Sequence, residues 1–420
     1  MSSYEVVVVG AGPAGLAAAH AAAGSGALVA IVDDNPHAGG QIWRGGPERQ
    51  ADARAGALSA ALRATPNVSF LPSTRVLYAP APGQLRVQTA TGADTLSYGQ
   101  LILATGARER LLPFPGWTLP GVTGAGGLQA LAKGGYPVAG KRVVVAGSGP
   151  LLLAAAATLK TGGAQIVAII EQAPLRSLLG FAAGLPATPS KAAQALRLGV
   201  QLKGTDYLHR SHVRSAHGDG VLQSVQVQRG QRRELDILHC DYLACGYGLL
   251  PNLELAQALG CATATQDGQM VVRTDDWQQT SIPGIYCAGE GTGIGGVDLA
   301  LAEGRIAGLA ASGQALYIDA AFEQRRRWKK FAARLARAFA LRPELATLAG
   351  DDTIVCRCED VRHGELRTHA SWRSAKLQTR CGMGPCQGRI CGGATEVLYG
   401  WRPEAVRMPI APARVATLIV

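Results

Sequence analysis

The sequence predicts an α/β protein built on two dinucleotide-type folds, and three observations carry that prediction. The run "YEVVVVGAGPAGLAAAHAAAGSGALVAIVDD" from Tyr4 reads strand, glycine turn, helix, strand. The run "KRVVVAGSGPLLLAAAATLKTGGAQIVAIIEQ" from Lys141 repeats that order. The 420 residues are 47% hydrophobic, 17% charged and 5% aromatic, with 54 glycines, a composition that fits two or three packed domains and not a disordered chain.

In the first run the glycine spacing has a physical meaning at each position. Gly10 permits the tight turn, Gly12 lets the backbone approach a pyrophosphate, and Gly15 lets the helix lie close to the strand. Pro13 and Ala14 open the helix, whose N-terminus faces the phosphates. Asp33 closes the second strand where a carboxylate accepts from ribose hydroxyls, with Asp34 as the neighbouring alternative.

The second run keeps Gly147 and Gly149, has Leu152 at the third glycine position, and closes its second strand with Glu171. Two readings stand side by side: a site for NAD(P) or another adenine nucleotide, and a structural domain that has kept the fold alone. Between the runs, "LILATGARERLLPFPGW" is an apolar strand ending at Thr105 and Gly106, followed by a proline-rich crossing. Later, "TSIPGIYCAGEGTGIGGVDLALAEGRIAGLAA" gives a short strand, a glycine-rich turn carrying Gly289 and Glu290, and a small-residue helix.

These segments resemble the two-dinucleotide-domain flavoproteins, the thioredoxin reductase and glutathione reductase relatives. The resemblance implies FAD in the first fold and a second nucleotide domain inserted into it. It also implies a returning turn, with Gly289 and Glu290 where those proteins usually carry Gly-Asp, that contacts the flavin ribityl and pyrophosphate. "GGQI", residues 39 to 42 with Gly40 and Gln41, resembles the loop that passes the FAD phosphates and isoalloxazine. The expected division is residues 1–118 and 250–318 for the FAD domain and 119–249 for the insertion. A basic helical linker at 319–350 and a small helical cysteine-bearing domain with its tail at 351–420 complete it.

Five of the nine cysteines fall between residues 356 and 391. Cys356 and Cys358 form a CxC pair and Cys386 and Cys391 a CxxxxC pair, enough thiolate to hold an iron pair or a zinc ion. Gly382, Gly384 and Gly388 let backbone amides turn toward the sulfurs. Cys240, Cys245, Cys261 and Cys287 lack such spacing and read as small buried hydrophobes, so no flavin-coupled disulfide is expected. His20, His37, His209, His212 and His217 stand in no catalytic signature, with the last three in a segment that reads as variable surface.

"CRCEDV" with "TRCGMGPCQGRIC" resembles the bacterioferritin-associated-ferredoxin-like [2Fe-2S] module. Joined to "GGQIWR", "ATGARERLLPFPGW", "AGSGPLLLA" and "CGYGLLPNLELAQALGC", it makes the whole chain resemble one family. That family is the FAD and iron-sulfur subunit of hydrogen cyanide synthase, opine oxidases and D-hydroxyproline dehydrogenases. The resemblance implies a [2Fe-2S] cluster on Cys356, Cys358, Cys386 and Cys391. Cys381 is then an extra thiol that competes with Cys391 as partner of Cys386.

The same resemblance implies a heteromer. A D-amino-acid-oxidase-like flavoprotein oxidises the amine, a small ferredoxin-like protein is a further partner, and this chain passes electrons to an acceptor. D-hydroxyproline is the favoured substrate, with glycine and opines beside it. No substrate-oxidising constellation is found in the chain, so its catalytic residues are unassigned. Two other classes stay open: a self-sufficient NAD(P)H-dependent reductase and a non-catalytic zinc-containing scaffold.

The first strand starts without a basic, cleavable leader and no long uncharged apolar stretch follows, so the expected location is the cytoplasm, with peripheral association at the inner membrane face allowed. Net charge is +11, spread along the chain except for a basic cluster in "EQRRRWKKFAARLARAF" at 323–339. Read as a helix, this segment places Trp328, Phe331, Leu335 and Phe339 on one face. A linker or subunit-contact helix is expected there, not nucleic-acid binding, because no second basic and aromatic pattern supports it.

Overall fold

The computed structural model describes residues 2–45, 52–314, 318–403 and 405–419. The chain forms two compact units, Met1–Arg108 with Leu250–Ala333 and Ala405–Val420, and Glu109–Leu249 with Arg334–Glu404.

In the first unit, β1 (Ser2–Val9) lies between β2 (Val29–Val32) and β6 (Ala93–Leu103), parallel to both. With β3 (Val68–Leu71), β4 (Arg75–Tyr78) and β5 (Gln84–Gln88) the order is β3-β2-β1-β6-β5-β4, and the strand Ile285–Cys287 adds to the C-terminal part of β6. β1 is a continuous valine run because both faces of a parallel sheet are covered; Val6, Val7 and Val8 are at most 1% exposed. Each such side chain contributes roughly 1.5–3 kcal/mol by leaving water. β1 ends at the point where its neighbours lead in opposite directions, which is where a doubly wound sheet opens a crevice.

Helix α1 (Pro13–Ala23) starts with proline, whose missing N–H costs nothing in a first turn, and continues in alanine, the strongest helix former. Its small side chains let the helix Val297–Ala311 approach closely. A Cβ on Gly304 would stand 2.1 Å from the Ala14 carbonyl oxygen, and one on Gly308 2.2 Å from that of Ala18. Gly304→Val is therefore expected to destabilise this unit by about 3 kcal/mol through overpacking, read as a lowered urea midpoint.

The second unit has five parallel strands in the order Asp206–Leu208, Gln165–Glu171, Arg142–Ser148, Tyr242–Tyr247 and Val122–Thr123. The helix Leu151–Thr161 follows the second glycine turn, and Leu152, at the third glycine position, packs at 1% exposure. A three-stranded antiparallel sheet, Ser211–His217, Ser224–Arg229 and Leu235–His239, joins the same unit. The expected variable surface is corrected in part: His212, near the start of the strand Ser211–His217, is buried beside Arg342, while His217 at the strand's end and His209 before it stay exposed.

The cysteine-bearing segment belongs to this second unit. Leu345, Leu348, Ile390 and Val397 enter the core that holds Trp117 and Phe114, and the Trp117 indole N–H donates to the Ile354 carbonyl at 2.6 Å. The basic segment is one helix, Asp319–Ala338, with Trp328 and Phe331 buried as its periodicity requires. Arg325 is buried as well, since its guanidinium donates to the Asp276 carbonyl and carboxylate and to Gln278 Oε1.

Candidate dinucleotide turn and cysteine site

The first glycine turn is a close assembly of backbone. Gly10 has φ +105 and a Cβ there would lie 2.2 Å from the Ala104 carbonyl oxygen; one on Gly15 would lie 1.8 Å from the Gly10 oxygen. Gly12 differs, because the nearest atom to its would-be Cβ is Gly40 Cα at 3.9 Å. The other two glycines are required by packing and Gly12 borders an open cradle, which is what a bound pyrophosphate needs.

Asp33 braces this turn. Its carboxylate accepts from the Ala11 amide at 2.6 Å and from the amide and side-chain nitrogen of Asn35, both at 2.8 Å. Asp33 remains half-buried, whereas Asp34 is exposed and pairs with Arg75. The Gly39 amide donates to Ala11 O, which brings Gly40 against Gly12, while Gln41 points outward. Gly289, at φ +77, packs on Ala14 at the start of α1. Thr105 and Gly106 close the rim through Asn252: Thr105 Oγ1 donates to Asn252 O, and Asn252 donates its amide to Gly106 O and its side chain to Thr105 O.

Glu290 lies in the returning turn, but its carboxylate accepts from the Gly295 and Gly296 amides at 3.0 and 2.9 Å. The longer arm of glutamate lets it fold back on its own loop, and burial lifts its pKa to about 7. Glu303 is a residue that sequence patterning does not single out. It is 1% exposed, one oxygen accepts from the Gly289 amide and the Thr292 hydroxyl, and the other has no hydrogen-bond partner among the described residues. Its only sequence signal is an acid inside a small-residue helix.

In the second fold, Gly147 has φ +135 and a Cβ there would lie 1.8 Å from the Gly246 oxygen, while Gly149 faces open space. Glu171 is wholly buried, accepts from the Gly149 and Ala173 amides at 2.8 Å each, and is raised to about 7 by desolvation.

All five C-terminal cysteines converge. Cys356 ends a short strand, Cys381 follows the helix Trp372–Thr379, which Arg380 terminates at φ 65, and Cys391 begins the helix Cys391–Tyr399. The Sγ atoms of Cys356, Cys381 and Cys391 lie within 4.8 Å of one another, all buried. Cys386 is half-buried beside Cys391 and Cys358, and Cys358 is exposed.

Tetrahedral thiolates at about 2.3 Å from one metal stand about 3.8 Å apart, so the buried trio is near the spacing of a metal corner and the set suits iron or zinc. Neighbouring S–H groups donating to Cys356 and Cys386 hold those thiols down, and the same contacts push Cys391 up. The Gly382 amide faces Cys356 and the Gly388 amide faces Cys386, as expected. The glycines are also required by space, since a Cβ on Gly382 would meet the Trp372 ring at 2.6 Å and one on Gly384 the Cys358 Cβ at 2.3 Å. Cys240, Cys245, Cys261 and Cys287 are all buried, and burial raises their thiols.

A glycine turn open to a pyrophosphate, a second nucleotide-type fold and a returning turn at the first helix define an oxidoreductase of the FAD-dependent, two-dinucleotide-domain class. The chain belongs to the pyridine nucleotide-disulphide oxidoreductase family, whose model matches residues 4–305. It is 34% identical to an opine oxidase subunit of Rhizobium meliloti (strain 1021), over 93% of this chain and 91% of that protein. It is 32% identical to hydrogen cyanide synthase subunit HcnB of Pseudomonas aeruginosa, over 92% and 90%. In fold it is similar to L-proline dehydrogenase from P. horikoshii, with TM-score 0.68 and 20% identity over all of this chain and 80% of that one. Thioredoxin reductase of T. acidophilum gives TM-score 0.57 and 22% identity over 75% and 100%. Among the described residues, no helix is long and apolar enough to cross a membrane.

Proposed function

We propose that this chain is the electron-handling subunit of a heteromeric FAD-dependent amino-acid or imino-acid dehydrogenase. The observation that carries the reading is the presence, in one chain, of an open dinucleotide turn at Gly12 and a convergence of five thiols. The full-length relatives are themselves named as subunits, which supports a complex. D-hydroxyproline is the proposed substrate of that complex, with opines and glycine as the alternatives to screen. The substrate-oxidising partner is a D-amino-acid-oxidase-like flavoprotein, and a small ferredoxin-like protein is a further partner.

When bound, FAD supplies exchange of electron pairs and a [2Fe-2S] cluster exchange of single electrons. The work of this chain's own residues is positional. Gly12 and the α1 N-terminus offer backbone to the pyrophosphate, and Asp33 fixes the turn through the Ala11 amide while staying half-buried beside the place of a ribose. Buried Cys356, with the Gly382 amide aimed at its sulfur, and buried Cys391 hold a metal site away from water, and the Cys358 and Cys386 edge reaches toward solvent. The returning turn places Gly289 against Ala14.

The test is co-purification with the flavoprotein partner, then dye reduction with D-hydroxyproline, glycine and opines. Substrate-dependent dye reduction is expected only when both proteins are present. NADH bleaching the flavin of the isolated chain would replace this reading with the self-sufficient reductase. A colourless, iron-free protein carrying zinc would leave the scaffold.

A further inference from the structure

We infer that the second nucleotide crevice is filled by the chain's own segment 339–342, which makes this fold a seat for the cysteine-bearing segment and closes it to NAD(P). Ser148, between the two glycines of the turn, donates its hydroxyl to the Phe339 carbonyl at 3.1 Å. Gln172, directly after the acid that closes the second strand, donates to the Ala340 carbonyl at 3.1 Å and to Ser148 Oγ at 2.9 Å. Its Oε1 accepts from the Arg342 amide at 3.2 Å. Ser148 lies in the glycine turn and Gln172 directly follows Glu171, so the two flank the acid to which a bound ribose would turn. A strap of main chain takes both.

The segment is fastened at each end. The Phe339 ring packs edge-on against Phe181, with centroids 5.4 Å apart. Arg342 lies at 3.1 Å from His212 Nδ1, and Leu345 and Leu348 beyond it are buried in the same core that receives Ile390 and Val397 of the cysteine segment. Beneath the strap Glu171, Gln172 and Ser148 are at most 5% exposed, and both oxygens of Glu171 are taken by backbone amides.

The first fold is the internal control. There Asp33 braces its turn in the same way, through the Ala11 amide, and both its oxygens are likewise occupied, yet it stays half-buried. The two acids differ in exposure, since Glu171 is wholly buried. Closure is confined to the sugar end, because Gly149, at φ +100, still has no atom within 4 Å of a would-be Cβ. The fold thus keeps open space beside Gly149 while Glu171 stays buried. Electrons must leave this chain by a route other than a nicotinamide bound here. The inference does not depend on which amine the complex oxidises.

The experiment is amide hydrogen exchange on the full chain with NADH, NADPH and ADP at millimolar concentration, alongside calorimetric titration with each nucleotide. Unchanged exchange at the Arg342 amide, and no saturable binding attributable to this fold, is the expected result. Gln172→Ala removes the acceptor of that amide and should raise its exchange at least tenfold. Faster exchange at Arg342 on adding a nucleotide, or saturable binding that Gly149→Ala weakens, would overturn the inference. So would an Arg342 amide that keeps full protection in Gln172→Ala. If that variant fails to fold, the nucleotide arms on the unaltered chain still decide.

Discussion

Gly12→Val should give a folded chain that purifies without flavin. The position has room for a Cβ in the protein itself, with Gly40 Cα at 3.9 Å as its nearest neighbour, so the added methyl groups displace the ligand before they displace the fold. An occupancy loss of at least tenfold corresponds to about 1.4 kcal/mol of binding, a modest demand for a blocked pyrophosphate approach. Flavin absorbance against protein absorbance measures it, and the unfolding midpoint should stay near that of the parent. Gly10→Val is the contrast, because its side chain would enter the Ala104 carbonyl at a left-handed φ, and that variant should lose the fold. Full flavin content in Gly12→Val would remove the first fold from the FAD site.

Cys391→Ser should lose the metal and its visible absorbance while keeping flavin. Cys391 is the thiol within reach of Cys356, Cys381 and Cys386 together, and it belongs to both the expected ligand set and the buried trio. Iron and zinc analysis should fall below about a tenth of the parent's, since loss of one thiolate of four opens the site to water. Cys358→Ser and Cys381→Ser then separate the two assignments. The CxC and CxxxxC ligand set requires iron to follow Cys358 and tolerate loss of Cys381. The buried trio would require the reverse. A Cys391→Ser protein with full iron would sink both.

The parts that can be read from sequence are those whose chemistry is local. A valine run buried on both faces, a turn that only glycine can make and an alanine helix opened by proline depend on neighbours a few residues away, so β1, Gly10, Gly15 and α1 are legible. The pairs Cys356/Cys358 and Cys386/Cys391 are legible as a metal-type set for the same reason, through short spacing, whereas the place of Cys381 is not. Glu290 reads in the sequence as a polar contact for a ligand; in the structure its carboxylate is occupied by the Gly295 and Gly296 amides. That outcome depends on where a flexible arm can reach, and sequence spacing does not fix it.

By itself the sequence determined two dinucleotide-type folds, a thiol-rich segment and the residues that must sit at each turn. Only the tertiary structure decided that Cys381 lies with Cys356 and Cys391, that Gly304 and Gly308 admit Ala14 and Ala18, and that the Phe339 and Ala340 carbonyls accept from Ser148 and Gln172. The physical reason is range. Backbone conformation and helix propensity are set within a few residues, whereas these contacts join positions far apart in the chain, and their partners are chosen by packing and by the need of every buried polar group for a partner.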